Sequence, residues 1–203
     1  MIGIINTNFG NINSIKNIYF DNNINCKSVS SPNEINNVSK LIIPGIGNFD
    51  SVVKNLKNHN LFDRINYLVL EKKIPILGIC IGMHLFFESS EEGRNNGFGW
   101  IKGKVEKLNK PQIRYPHMGW NNILNTNKNL LFKDIKEGSY FYFLHNYGNK
   151  PTNEKDYLSS STFYGENFLS SINYKNIYGV QFHPEKSHQN GIKLLTNFAN
   201  ICA

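Results

Sequence analysis

The sequence predicts an α/β fold: a mostly parallel central sheet flanked by helices, with additional antiparallel or mixed strands in the second half of the chain. Short apolar runs alternate with helical-period patterns in the first half, which is the order expected of parallel strands joined by helices. From Gly97 onward, runs with period-two alternation replace that pattern. One apolar run also passes through a cysteine flanked by glycines directly into a helical pattern.

The spacing of apolar residues predicts each element of the first half. Ligands bind at the carboxyl ends of the strands in folds of this class, so we expect the functional site at that edge of the sheet. In chain order the patterns predict a strand at residues 2–5, a helix over 12–19, a strand at 41–43, helices over 52–56 and 61–70, a strand at 74–79 and a helix carrying 85–87.

Period-two runs dominate the second half, and we expect them to extend the central sheet as antiparallel or mixed strands. A final amphipathic helix is predicted over residues 192–201. Residues 125–129 and 149–155 are polar and are expected to form loops. The runs cover residues 100–108, 120–124, 140–145, 158–164, 168–174 and 177–182.

Length and charge narrow the class of protein. At 203 residues the chain fits a single domain over residues 1–203, which would bury roughly 70% of the surface of its unfolded form. The net charge is +7, but no basic run is longer than residues 71–73, so we expect no nucleic-acid partner. No apolar stretch reaches membrane-spanning length, and no basic leader precedes the first strand. We therefore expect a protein that neither enters a membrane nor is secreted.

The three cysteines are Cys26, Cys80 and Cys202. An odd number without a C-x-x-C pair supports neither a disulfide framework nor a zinc site, and a reducing cytoplasm fits best. Cys80 stands out because Gly78 and Gly82 leave room for a tight turn from strand to helix. Such a turn exposes a sulfur at the sheet edge, and the start of a helix favours its thiolate. The competing interpretation is an inert, buried cysteine.

His183 and Glu185 lie two residues apart at the end of another apolar run. Together with Cys80 they could form a catalytic triad, in which Cys80 is the nucleophile, His183 the base and Glu185 the acid that orients the base. A solitary histidine at a strand end is otherwise an ordinary capping or core residue. The carboxylate nearby favours the catalytic interpretation, because it would fix the tautomer that a base requires.

These motifs resemble those of the class I (triad) glutamine amidotransferases. A G-x-C-x-G turn is followed about a hundred residues later by F-H-P-E, as in that family. Over nearly the whole chain the sequence resembles the glutaminase subunits of imidazole glycerol phosphate synthase. Further matching stretches are residues 44–49 (PGIGNF), 90–93 (SEEG), 116–121 (PHMGWN) and 179–187 (GVQFHPEKS).

The resemblance implies a glutaminase that uses no cofactor and no metal. Cys80 would attack the side-chain amide of L-glutamine, giving a thioester and ammonia, while His183 moves the proton and Glu185 steadies the imidazolium. Ammonia would pass to a separate cyclase subunit, a (β/α)8 barrel that completes a heterodimer and forms imidazole glycerol phosphate in histidine biosynthesis.

The resemblance also implies roles for other residues, in three groups. The oxyanion hole would comprise the peptide near Gly45 and Ile46 and the amide of Ile81. The glutamine pocket would comprise Gly47, His84, Glu92, Asn146 and Tyr147. The face that meets the synthase subunit would comprise Asn11, His117, Met118, Trp120, Asn121 and Lys186.

His84 departs from the family, which usually has glutamine four residues after the nucleophile. One helical turn separates the two positions, so the imidazole is expected to face the pocket. A protonated imidazole would hold the carboxylate of the substrate. Glutamine affinity would then weaken as the pH rises through about 6.5.

Other functions remain open from the sequence. A paralogous glutaminase could supply another synthase, such as one that forms amidino groups on surface sugars. A non-catalytic interaction subunit could keep the fold without binding glutamine. A cysteine peptidase or small-molecule hydrolase would turn over its substrate without any partner.

Overall fold

The computed structural model describes residues 1–6, 10–124, 129–150 and 157–201. The strands are β1 (Ile2–Ile5), β2 (Cys26–Val29), β3 (Lys40–Ile43), β4 (Ile76–Ile79), β5 (Phe87–Ser90), β6 (Ile101–Lys107), β7 (His117–Asn122), β8 (Tyr140–His145), β9 (Tyr147–Gly148), β10 (Leu158–Phe163), β11 (Asn167–Tyr174) and β12 (Ile177–Val180). The helices are α1 (Ile12–Asp21), α2 (Phe49–Asn58), α3 (Phe62–Leu70), α4 (Ile81–His84) and α5 (His188–Asn200), with 3₁₀ turns at Glu34–Asn37, Leu130–Phe132 and Pro184–Lys186.

The central sheet has seven strands in the order β10-β11-β12-β4-β3-β1-β2. The five strands from β12 to β2 are parallel, and β10 and β11 add an antiparallel edge. Gly78 of β4 pairs with Ile43 of β3 on one side and Gly179 of β12 on the other. The chain segments that follow these three strands therefore leave the sheet side by side, and the predicted α/β fold is confirmed.

Side chains of the central strands alternate between two buried layers. Leu41 and Ile43 pack in the layer that contains α2 and α3, whereas Ile42 packs in the layer that contains α5. The buried faces of the helices have helical spacing, as in Leu194, Leu195 and Phe198 of α5. Removing a large aliphatic side chain from such a core typically costs about 2–5 kcal/mol. These layers fix the sheet edge at which the site is built.

Half of the period-two runs in the second half do not extend the central sheet, and that expectation is wrong for them. Strands β5, β6 and β9 form a three-stranded sheet, and β7 and β8 form a two-stranded sheet. The β7–β8 pair instead covers the site, because the carbonyl of Tyr142 accepts a hydrogen bond from the backbone nitrogen of His183 at 2.8 Å. The prediction that residues 85–87 lie on a helix is also wrong, since α4 ends at His84 and β5 begins at Phe87.

Of the expected loops, residues 125–128 and 151–155 lie outside the described residues. Asn129, in contrast, is buried and caps the 3₁₀ turn at Leu130–Phe132, accepting a hydrogen bond from the Leu131 nitrogen at 3.1 Å. Among the described residues, no helix has the length and apolar character needed to cross a membrane.

Candidate active site

Cys80 lies at the turn between β4 and α4 with φ 52° and ψ −109°. Such a backbone conformation costs on the order of 1–3 kcal/mol for a residue with a side chain. Three hydrogen bonds hold it: the Cys80 nitrogen donates to the Val180 carbonyl at 2.7 Å, and the Cys80 carbonyl accepts from Met83 at 2.9 Å and from His84 at 3.1 Å. The strained turn projects the sulfur beyond the carboxyl end of β4.

The glycines around Cys80 are required by close backbone approaches. A Cβ atom on Gly82 would lie 2.0 Å from the Ile43 carbonyl oxygen. A Cβ atom on Gly78 would lie 2.5 Å from the Gly82 carbonyl carbon. Any side chain at either position would push α4 away from the sheet. The two glycines therefore set how closely the nucleophile turn rests on β3 and β4.

His183 and Glu185 follow β12, and their side chains meet in the protein interior. The Nδ1 atom of His183 lies 2.9 Å from Oε1 of Glu185, and both side chains are buried. Ser187 fixes the turn between them and β8: its hydroxyl donates to the His183 carbonyl at 2.6 Å and accepts from the Tyr142 nitrogen at 3.0 Å. The carboxylate thus orients the imidazole, as the sequence predicts.

The electrostatic surroundings of His183 favour its protonated form. Burial alone lowers the pKa of an imidazole. The charge of Cys80, the hydrogen bonds to Cys80 and Glu185, and the charge of Glu185 together outweigh burial and raise the pKa of His183 to about 10. His183 is therefore protonated at neutral pH.

A cavity of about 190 Å³ opens at Cys80. It brings together ten of the residues that the sequence assigns to the site, whereas Glu185 lies behind His183. Pro116, Leu144 and His145 complete its wall. The ten are Gly45, Ile46, Gly47, Cys80, Ile81, His84, Glu92, Asn146, Tyr147 and His183.

The segment 45–47 crosses one side of the cavity directly after β3. Gly45 rests on the nucleophile turn, since a Cβ atom there would lie 2.7 Å from the Cβ of Ile81. Gly47 has φ 138°, a conformation that L-residues rarely adopt, and Ile46 between the glycines is exposed. Position and glycine content therefore both suit a peptide that can reorient beside the sulfur.

Glu92 follows β5 and lies against the start of α2, next to segment 45–47. Its Oε2 atom accepts a hydrogen bond from the Phe49 nitrogen at 3.0 Å. Burial raises the pKa of Glu92, the Phe49 hydrogen bond opposes that rise, and the charge of Asp50 adds to it. A second contact, from the Asn48 side chain to the Glu92 carbonyl at 3.4 Å, fixes the backbone.

Gln181 contacts Cys80, although none of the sequence motifs assigns it a role. Its Nε2 atom lies 3.6 Å from the Cys80 sulfur, and its Oε1 atom lies 2.7 Å from Nε2 of His84. Strand alternation offers a signal for it, because residues two apart share a face and Gln181 precedes His183 by two.

The structure corrects the charge expected on His84. Burial lowers the pKa of His84 to about 4, and the hydrogen bond with Gln181 offsets only part of that shift. The ring lines the cavity, but it is neutral at neutral pH. The expected protonated imidazole, and the affinity change near pH 6.5 that depends on it, are therefore wrong.

A chain of hydrogen bonds connects β7 to the cavity wall through two buried histidines. Nδ1 of His145 lies 2.8 Å from the Tyr147 carbonyl, which accepts only, so Nδ1 carries the hydrogen. Nε2 of His145 must then accept from Nδ1 of His117, at 3.0 Å, and Nε2 of His117 accepts from the Asn121 amide at 3.3 Å. Burial lowers the pKa of His117 to about 4 and that of His145 well below its usual value. Both rings are neutral.

The residues expected on the partner face divide according to the alternation of β7. Met118 and Trp120 are 65% and 45% exposed, whereas His117 is 2% exposed. His117 stacks on Tyr164 at 3.9 Å between ring centroids. The expectation that His117 lies on the partner face is therefore wrong. Asn121 is half-buried in the hydrogen-bond chain described above.

Lys186 and Asn11 lie on other elements. The Lys186 ammonium group lies 5.7 Å from the ring centroid of Tyr142, which pairs with Trp120 across the two-stranded sheet. This places Lys186 beside the exposed face of β7 and β8. Asn11 caps α1, where its side chain accepts from the Ser14 nitrogen at 3.4 Å.

Within the described part of the chain, histidine, cysteine, aspartate and glutamate side chains form no group of three that could hold a metal ion. The cavity instead combines a strained cysteine, a charged histidine oriented by a carboxylate, and a glycine-rich segment beside the sulfur. This set suits nucleophilic attack on a carbonyl carbon, with the histidine handling the proton.

Comparisons with known proteins agree with this chemistry. The sequence profile of the family described as Glutamine amidotransferase class-I matches residues 7–202. The chain is 40% identical over 205 residues to imidazole glycerol phosphate synthase subunit HisH of Leptospira borgpetersenii, covering 99% of this chain and 100% of that protein. It is 45% identical over 199 residues to subunit HisH 2 of Methanococcus maripaludis, covering 98% of each. The solved structure of PurLQS from Thermotoga maritima has the same fold, with a TM-score of 0.75 at 14% identity, covering 98% of this chain and 97% of that one.

Proposed function

Because the chain belongs to the class I glutamine amidotransferase family, and within it to the HisH subunits of imidazole glycerol phosphate synthase, we propose that it hydrolyses L-glutamine for such a synthase. The proposal rests on the 2.9 Å contact between His183 and Glu185, which orients His183 in the cavity that also contains Cys80. The ammonia released would be used by a separate cyclase subunit in histidine biosynthesis. The similarity to HisH subunits over the whole chain favours this function over a paralogue that serves surface sugars.

At the start of catalysis His183 already holds the proton of the Cys80 thiol, since its pKa is raised to about 10. The thiolate then attacks the side-chain amide carbon of glutamine, and the carbonyl oxygen becomes an oxyanion. As the carbon–nitrogen bond breaks, His183 returns the proton to the leaving nitrogen, which departs as ammonia. Water, deprotonated by the same imidazole, hydrolyses the thioester to glutamate and returns Cys80 and His183 to their starting state.

Two backbone amides would stabilise the oxyanion. One is the Ile81 amide at the start of α4, and the other is the peptide near Gly45 and Ile46. Each such donor is typically worth about 3 kcal/mol in the transition state. Because segment 45–47 contains two glycines, its peptide can turn toward or away from the sulfur. We propose that docking of the synthase subunit fixes it in the productive orientation.

The far end of the cavity would hold the amino-acid end of glutamine. The Glu92 carboxylate suits the α-ammonium group, because opposite charges attract strongly in a partly buried site. Gly47, Asn146 and Tyr147 offer backbone and side-chain groups along the wall. His84 lines the same wall as a neutral ring.

The partner face would be the exposed side of β7 and β8 next to the cavity. Met118 and Trp120 are exposed apolar side chains, and aromatic residues of this kind dominate protein interfaces. Lys186 adds a charge at the edge of this face, while Asn121 supports it from behind and Asn11 lies at the start of α1. The proposed partner is a synthase subunit with a (β/α)8 barrel, giving a heterodimer.

Glutamate release measured with and without the cyclase subunit of the same source tests the proposal. The isolated chain should be weakly active, and the complex with a bound cyclase ligand should be about a hundredfold faster, which corresponds to one oxyanion donor worth ~3 kcal/mol. Cys80→Ser should abolish hydrolysis and leave subunit binding unchanged, while Cys26→Ser serves as the matched control. Full activity of the chain alone would instead indicate an independent hydrolase.

A further inference from the structure

The amide of Gln181 lies between the Cys80 sulfur and the His84 imidazole, and all three side chains are buried. Its nitrogen faces the sulfur at 3.6 Å, and its oxygen faces Nε2 of His84 at 2.7 Å. An amide has a donor end and an acceptor end, so its orientation determines which of them meets the nucleophile. In the orientation present here, the donor end meets the sulfur.

His84 determines this orientation through its tautomer. The Gln181 oxygen has no hydrogen to give, so Nε2 of His84 must carry one, and the neutral ring then has a bare lone pair on Nδ1. That Nδ1 atom is buried and has no hydrogen-bond partner among the described residues. The other tautomer would put a hydrogen on Nδ1 in that position, where a buried, unpaired N–H is costly. It would also let the Gln181 oxygen turn toward the sulfur.

We propose that His84 and Gln181 act as a pair in glutamine hydrolysis: the Gln181 amide nitrogen stabilises the Cys80 thiolate, and His84 is the positioning residue that keeps the amide in this orientation. The proposal rests on the proposed role of Cys80 as nucleophile. The proton lost by the thiol still goes to His183. Gln181 adds a neutral N–H dipole aimed at the negative charge, in a buried site where such a dipole acts more strongly than in water.

The departure from the family at position 84 fits this role. A glutamine there has both a donor and an acceptor in its amide, so it can hold Gln181 in either orientation. A neutral imidazole with hydrogen on Nε2 can hold it in only one. The histidine thus replaces an ambiguous contact by a directed one, and it does so without adding a charge beside His183.

The pH dependence of Cys80 alkylation by iodoacetamide tests the pair. The parent is the full chain carrying Cys26→Ser and Cys202→Ser, and mass spectrometry locates the label. The other titratable groups at the cavity are His183 with Glu185 behind it, His145 and Glu92. They are the same in parent and variants, so a difference between profiles reports on the Gln181 and His84 positions.

In Gln181→Leu, the pH of half-maximal alkylation should rise by about one unit, so that the rate below that pH falls about tenfold. The maximal rate at high pH should stay within twofold, because a fully formed thiolate is equally exposed to the reagent. His84→Leu should shift the midpoint in the same direction by less. His84→Gln should restore most of the parent value. Exposed Gln189→Leu is the matched control and should leave the profile unchanged.

A merely structural role for Gln181 would lower alkylation at every pH without moving the midpoint, and that result would overturn the proposal. Gln181→Glu keeps the size of the side chain and replaces the N–H donor by a carboxylate, so it should raise the midpoint further. Superimposable profiles for parent and both Gln181 variants would also overturn the pair. Failure of the parent to be alkylated at Cys80 at any pH would contradict the proposed nucleophile itself.

Discussion

Replacement of His84 by glutamine is expected to make the fold less sensitive to acid. Burial lowers the pKa of His84 to about 4 in the folded chain, whereas an unfolded histidine titrates near ~6.5. Between these two values the unfolded chain binds a proton that the folded chain does not. Stability therefore falls as the pH is lowered through this window, and glutamine at position 84 removes the effect.

The magnitude follows from the two pKa values. Lowering the pH from 7 to 5 should cost the wild-type chain about 2 kcal/mol through His84 alone. His117 and His145 also have lowered pKa values and add losses of the same sign in both proteins. The raised pKa of His183 acts in the opposite sense, and because it does so in both proteins it leaves the difference between them unchanged.

Urea unfolding followed by tryptophan fluorescence at pH 7 and pH 5 gives the required free energies. The variant should lose about 2 kcal/mol less than the wild type between the two pH values. His59→Gln, at the end of α2, is the control for removing one histidine from outside the cavity. An equal loss in wild type and His84→Gln would refute the conclusion that the folded chain keeps this ring neutral.

Three further results are expected. In the complex, the Michaelis constant for glutamine should vary with pH near 6.5 in the same way for the wild type and for His84→Gln, because the ring is already neutral there. A change near pH 6.5 that occurs only in the wild type would contradict this. Gly82→Ala should lower the free energy of unfolding in urea by about 2 kcal/mol, since its Cβ would lie 2.0 Å from the Ile43 oxygen, and an unchanged value would mean that α4 can move freely. Trp120→Ala should weaken cyclase binding in calorimetry by at least tenfold, while Phe20→Ala, on exposed α1 surface, should not.

The sequence predicts most of the parallel half of the fold because nearly every element there has its own signal. Apolar spacing marks α2 and α3, and the glycines at positions 78 and 82 mark the nucleophile turn. Strand β2 has no such signal, since its sequence CKSV is short and half polar. It becomes a strand only because β1 offers its edge.

The second half is less predictable, since a period-two run does not say which sheet it joins. Strands β7 and β8 have the same alternation as β11, but their partners are each other. The pairing follows from tertiary packing of the aromatic side chains between the strands and the site, which a single sequence does not encode locally. The same limit explains His117, whose burial depends on which face of β7 meets Tyr164 and Phe143.

Side-chain charge is the part of the site that sequence motifs predict least. The motifs name Cys80, His183 and Glu185, and the cavity brings the first two together with Glu185 behind. The state of His84 depends instead on how completely neighbouring elements exclude water from it. That burial is a property of the assembled chain, and it removes the positive charge expected on the imidazole.

The hydrogen-bond chain from Asn121 through His117 and His145 to the Tyr147 carbonyl has a consequence for the product. Every ring nitrogen in it is committed, either as donor to the next member or as acceptor from the previous one. Neither ring has a proton to release or a lone pair to offer, although His145 forms part of the cavity wall. Newly formed ammonia therefore meets no acid on that side. It keeps its lone pair, and with it the nucleophilicity that an acceptor in a synthase requires.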